Sequence, residues 1–191
     1  GVIFRSHIDG SQYLITPELA MQFQEALGAD IIMVLDECPA YDDSFEKVSR
    51  AMSRTHQWAE RCQKAQKRSD QALYAIVQGG ISPQLRRQSA EHLTSLGFSG
   101  YAIGGLSLGE AKKITLTIIE ETVALLPENK PRYLMGVGSP EDLLEGIARG
   151  VDIFDSALPT RVARNGAFFT GQGKHNIGNA AYHQMEQPID P

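Results

Sequence analysis

The chemistry in this chain starts at Asp155, which ends the apolar run Gly150-Val151-Asp152-Ile153-Phe154 and precedes Thr160-Arg161-Val162-Ala163-Arg164. A carboxylate at the end of a buried strand stands where parallel α/β barrels place reacting groups. Arg161 and Arg164, three apart in the loop expected there, can face a polyanion together, and their planar forks suit phosphate oxygens. Read alone, the run is equally a helix-capping aspartate before a solvated basic loop. A second acid, Asp36, ends the run 31–35, and Gln78 ends the run 74–77. An acceptor pair and an amide at corresponding strand ends can read a planar heterocycle. Each also has a local reading, Asp36 as a cap and Gln78 as a partner for loop carbonyls. Gly136-Val137-Gly138-Ser139-Pro140-Glu141-Asp142 offers backbone donors and a positive helix end to a phosphate, or is a turn with an N-cap. Cys38 reads as a pocket wall, because no histidine stands in sequence to activate it as a nucleophile.

These residues need elements to position them. Apolar runs at 31–35, 74–77, 101–103, 133–135 and 151–154 lack alternation, as expected of strands covered on both faces. Thr16-Pro17, Ser82-Pro83 and Ser139-Pro140 each pair an N-cap with proline at the first helical position, and Gly28, Gly97 and Gly150 supply the stops. Two more helices are expected at roughly 44–65 and 110–126. Strand and helix in alternation leave a doubly wound sheet or a barrel. Every strand end is polar or glycine-rich, including Gly104-Gly105-Leu106 and Met135-Gly136. A barrel gathers such ends at one mouth, whereas a doubly wound sheet spreads them along an edge, so the barrel is favoured. Five strands are too few to close eight.

The 191 residues, 42% hydrophobic, can bury one core and read as a single domain. A formal net charge of -5 argues against DNA coating and leaves nucleic-acid contact to a local basic patch. The 2 cysteines, Cys38 and Cys62, lack metal-ligand spacing and fit a reducing cytoplasm, so no metal site is expected in the chain. No apolar run approaches a membrane span. The first residues, Gly1-Val2-Ile3-Phe4, carry neither an initiator methionine nor a signal peptide, which leads us to expect an internal segment of a longer protein.

Six ordered stretches carry a resemblance: Phe4-Arg5-Ser6-His7-Ile8-Asp9-Gly10-Ser11, Leu35-Asp36-Glu37-Cys38, Val77-Gln78-Gly79, Gly100 to Leu106, Pro131-Arg132-Tyr133-Leu134-Met135-Gly136-Val137-Gly138, and Phe154 to Gly166. Together, over the whole chain, they resemble the tRNA-guanine transglycosylase family, in its bacterial form. The resemblance implies a modified TIM (β/α)8-type barrel, incomplete here at about the third to seventh strands, with a small β-hairpin insertion near the N-terminus. It implies exchange of guanine at the tRNA wobble position for a 7-deazaguanine, 7-aminomethyl-7-deazaguanine, in queuosine biosynthesis. Asp155 then matches the nucleophile that attacks ribose C1′. Asp36 matches the acceptor for the purine N1–H and amine, Gln78 and the Gly105 N–H match groups on the carbonyl side, and Leu106 and Met135 match pocket walls. Thr160 to Arg164 and Gly136 to Asp142 match RNA-contacting segments.

Departures from the family pattern set further expectations. The family's general acid/base aspartate lies on an earlier barrel strand, before Gly1, and its structural zinc, held by three cysteines and a histidine, lies after Pro191. No cofactor is expected in the chain itself. Alone, such a fragment is expected to be inactive and, with two raw sheet edges, poorly stable or associating. The partners expected are tRNA with guanine at the wobble position, the 7-deazaguanine and a second copy in a homodimer, with no membrane and no DNA; the compartment is the cytoplasm. Alternatives within the family are a noncatalytic tRNA-binding partner subunit, against which Asp155 and the 160–164 segment argue, and an archaeal-type enzyme acting in the tRNA D-arm.

Overall fold

The computed structural model describes residues 1–189, so Asp190 and Pro191 lie outside the described residues. The chain opens with a hairpin, β1 (Val2–Arg5) and β2 (Gln12–Ile15), and then α1 (Pro17–Leu27). Strand and helix alternate from there: β3 (Ile31–Met33), α2 (Phe45–Ala65), β4 (Ala72–Val77), α3 (Pro83–Ser95), β5 (Gly100–Ile103), α4 (Lys112–Val123), β6 (Arg132–Leu134), α5 (Pro140–Ala148) and β7 (Ile153–Phe154). A short helix α6 (Leu158–Arg164) and a hairpin of β8 (Ala167–Thr170) and β9 (Gly173–Asn176) follow.

The hydroxyl-proline pairs open helices as their chemistry requires. Thr16, Ser82 and Ser139 accept hydrogen bonds from the amides of Leu19, Leu85 and Asp142, satisfying donors that a helix start leaves orphaned. Gly28 then stops α1 in the left-handed conformation, φ 74, with its N–H on the Gln24 carbonyl. Two expectations are corrected. The segment after Asp155 is not a loop: Ser156 Oγ accepts from the Leu158 amide and Pro159 stands in the first turn, so Thr160 to Arg164 are helical. Strand β3 ends at Met33 and not Leu35, because the Leu35 amide turns to Cys62 Sγ on α2, 3.4 Å away, and leaves the ladder.

Strand order decides the architecture. The five strands pair in parallel in the order β3-β4-β5-β6-β7, each beside its sequence neighbour. A doubly wound sheet reverses order at a switch point, and this one never does, so it is the progression of a barrel cut open. Among the described residues, strands β3 and β7 each pair on one side alone. Successive helices from α1 to α5 pack against one another, α1 on α2 through α4 on α5. The core lies between helices and sheet, with Val77, Ile103 and Leu134 at 0% exposure. Burying each such side chain contributes roughly 1.5–3 kcal/mol, enough to fix where the strand ends emerge.

Register settles which side chains share the inner face. Tyr133 stands opposite Ala102 on β5 and Ile153 on β7. Period two then carries Met135 and Asp155 to that same face. Among the described residues no helix is long and apolar enough to cross a membrane.

Candidate active site

At the carboxyl ends of β3, β4 and β5, four residues converge. The Gln78 side chain, 1% exposed, donates from Nε2 to Asp36 Oδ2 at 2.7 Å, while its Oε1 is buried without a partner among the described residues. Gly105 closes the far side at φ 69; a Cβ there would fall 2.5 Å from Gln78 Oε1 and 3.7 Å from Cys38 Sγ. A Cβ there would have to displace the Gln78 amide, and the left-handed turn favours glycine as well. Burial pushes the Asp36 carboxyl above its ordinary value, against the pull of the Gln78 bond. Burial and the neighbouring Asp36 charge push the Cys38 thiol up too, which keeps it from acting as a thiolate. Leu106 is buried beyond Gly105, and Met135 is half-buried at the end of β6.

The loop after Leu106 is held by a residue to which the sequence reading gave no role. Glu110 folds back, its Oε1 accepting from the Ser107 amide at 2.5 Å and the Thr115 hydroxyl at 2.7 Å, and its Oε2 from the Leu108 amide at 3.0 Å. Burial works against this carboxylate, yet the bonds from Thr115, Ser107 and Leu108 keep its pKa below the usual value. Ser107 sits at φ 58, a left-handed conformation uncommon outside glycine, and the Glu110 clamp is what sustains it. An acid four residues past the strand end Gly104-Gly105-Leu106 was the available signal.

At the ends of β6 and β7 the arrangement differs. Asp155 is exposed, and its Oδ1 accepts from the Tyr133 hydroxyl at 2.6 Å and the Gly136 amide at 2.7 Å. Burial and the adjoining Asp155 raise the Tyr133 pKa, so the phenol remains a donor. Next to this pair lies a cavity of about 240 Å³, lined by Gly136, Val137, Gly138, Ser139, Asp142 and Arg161 among others. The two expected RNA-contacting segments therefore meet, with Arg161 facing the start of α5. Pro140 and Glu141 continue that first turn, both exposed. Asp142 is already engaged, accepting from Ser139 Oγ at 2.7 Å and pairing with Lys112 at 2.8 Å. Thr160, Ala163 and Arg164 are exposed on α6, whereas Val162 is buried and anchors the helix. Arg164 does not line the cavity. A neighbouring cavity of about 320 Å³ shares Ser107, Val137 and Asp142, but runs behind the loop between α4 and α5, away from Asp155.

Parallel strands in barrel order, with polar groups gathered at their carboxyl ends, define the class: an open α/β barrel of the TIM type. Comparison with known proteins narrows the class. The model of the queuine tRNA-ribosyltransferase family matches residues 1–191, and the chain belongs to that family. It is 65% identical over 191 residues to a queuine tRNA-ribosyltransferase of Dehalococcoides mccartyi, covering 100% of this chain and 49% of that protein. Proteins of the same name from Halothermothrix orenii and Moorella thermoacetica are 58% and 56% identical, again over 100% of this chain and 51% of theirs. The chain thus spans about half the length of the curated relatives it matches.

Proposed function

We propose that the protein containing this chain is a tRNA-guanine transglycosylase that exchanges guanine at the anticodon wobble position for 7-aminomethyl-7-deazaguanine. The observation that carries the reading is Asp155, held by Tyr133 and Gly136 beside the cavity that Arg161 lines. An Asp155 oxygen attacks ribose C1′, the C1′–N9 bond breaks, and guanine leaves once it has been protonated. The incoming base then attacks C1′ through its corresponding nitrogen, loses that proton, and displaces the carboxylate. This is double displacement at an anomeric carbon. On the family resemblance, an aspartate of an earlier strand is the protonating group.

Base recognition falls to the other cluster. Asp36 accepts from the purine N1–H and amine, Gln78 and the Gly105 N–H donate to the carbonyl, and Leu106 and Met135 wall the plane, so a flipped base is read on its Watson–Crick edge. Because Gln78 Nε2 donates to Asp36 in the free site, base entry replaces that bond with two better-matched ones. Arg161, Arg164 and the amides of Gly136 to Ser139 hold backbone phosphates around the wobble nucleotide. Among the described residues no group of three or more His, Cys, Asp or Glu side chains is placed to hold a metal ion. A cytoplasmic homodimer acting on tRNA is the corresponding setting.

The test incubates a full-length protein carrying this chain with tRNA bearing guanine at the wobble position, beside its Asp155→Asn variant, on a denaturing gel. A protein–RNA band that needs Asp155 is expected. Tight tRNA binding without a band in either would favour the noncatalytic partner subunit.

A further inference from the structure

Arg86 is fully buried, at 1% exposure, on the side of α3 that faces the sheet. Its guanidinium meets three backbone carbonyls: Nε donates to Gly80 at 2.8 Å, Nη1 to Val77 at 2.9 Å and Nη2 to Gly105 at 3.4 Å. Among the described residues no carboxylate lies within ion-pair reach of it. One turn along α3, Ser89 Oγ accepts from the Gln78 amide at 3.2 Å. The peptide between Val77 and Gln78 is thus gripped at its carbonyl by Arg86 and at its N–H by Ser89, two side chains of one helix face.

A buried cation without a counter-charge is a poor device for stability, since an apolar side chain of similar volume often does as well or better. What it does achieve is placement. The carbonyls it holds belong to the two strand ends that carry Gln78 and Gly105, and burial lowers its pKa to about 10, leaving it charged at neutral pH. The cation therefore sits behind the two groups that would donate to a purine carbonyl.

We propose that Arg86 is a positioning residue for base recognition: through the Val77 and Gly105 carbonyls, with Ser89 holding the Gln78 amide, it aims the donors that read the 6-carbonyl of the base. The inference rests on the base-exchange reading above. Arg86 touches no substrate and acts through Gln78 and Gly105.

The test compares the full-length protein with Arg86→Met and Ser89→Ala, measuring exchange into tRNA of guanine and of 6-thioguanine. The analogue keeps the N1–H and the 2-amino group but carries sulfur, a weak acceptor, in place of the carbonyl oxygen. Losing one aimed hydrogen bond should reduce the kcat/KM preference for guanine over 6-thioguanine by about tenfold in Arg86→Met, and by less in Ser89→Ala, with KM for tRNA unchanged. A merely structural role would lower both bases equally, and that result, or an unaltered preference, overturns the proposal. Should Arg86→Met fail to fold, the ratio in Ser89→Ala decides in the same way. A wild-type protein that exchanges neither base would instead overturn the functional reading.

Discussion

Asp36 and Asp155 are the same functional group at the same end of one sheet, and the fold treats them in opposite ways. Asp36 is half-buried, paired with a single amide, and pushed toward its neutral form by burial. Asp155 is left exposed and fastened by two short bonds to one oxygen. Desolvation sharpens recognition, because a buried acceptor without its partner is costly and a mismatched base leaves it so. Exposure with firm orientation suits the attack proposed for it, in which the carboxylate would meet a carbon on a large polyanion at a fixed angle.

The contrast can be broken or sharpened by substitution, beginning with the largest effect. Asp155→Asn should reduce base exchange by more than about 10⁴-fold while leaving free-base affinity within about twofold by calorimetry, the behaviour of a group that acts as nucleophile alone. Equal damage to base binding would erase the division of labour. Asp36→Asn should do the reverse, lowering kcat/KM for the base by about 100-fold through loss of a charged acceptor, with KM for tRNA unchanged. Tyr133→Phe leaves Gly136 as the remaining holder of Asp155, and the rate of covalent trapping in single-turnover gels should drop about tenfold.

Acidity gives a smaller and graded effect. On the proposed reading base binding would need Asp36 ionised, so KM for guanine should rise as pH falls through the raised Asp36 pKa, above the ordinary 3.8. For stability the sign is opposite. A carboxyl whose folded pKa is raised contributes stability below its unfolded value and loses it as pH climbs through the folded one, so Asp36 weakens the fold at neutral pH. Thermal melting at neutral pH should therefore find Asp36→Asn at least as stable as the parent.

Much of the scaffold was legible in the sequence because its signals are local. A hydroxyl followed by proline specifies α1, α3 and α5 without reference to the rest of the chain, and apolar runs between them locate the strands. Asp36, Gln78 and Asp155 could be singled out because they follow those runs directly. What escaped depends on the third dimension. Tyr133 reaches Asp155 through the pairing of β6 with β7, and cross-strand register leaves no mark in a single sequence. Glu110 matters through a loop that folds back on itself at Ser107. Arg86 reads as one more charge on an amphipathic helix until its burial is seen, and α6 is too short to announce itself beside Pro159.

The fastening of Asp155 has one further consequence. Both donors fall on Oδ1, so the two oxygens of a carboxylate, interchangeable in water, are made unequal. On the proposed mechanism Oδ2 would be the atom that joins carbon, and Oδ1 would become the carbonyl of the resulting ester, already flanked by a phenol and an amide. When the second base arrives, the electrons of the breaking bond would flow back toward an oxygen prepared to receive them. The contacts that steady the group for its attack would thus also ease its departure.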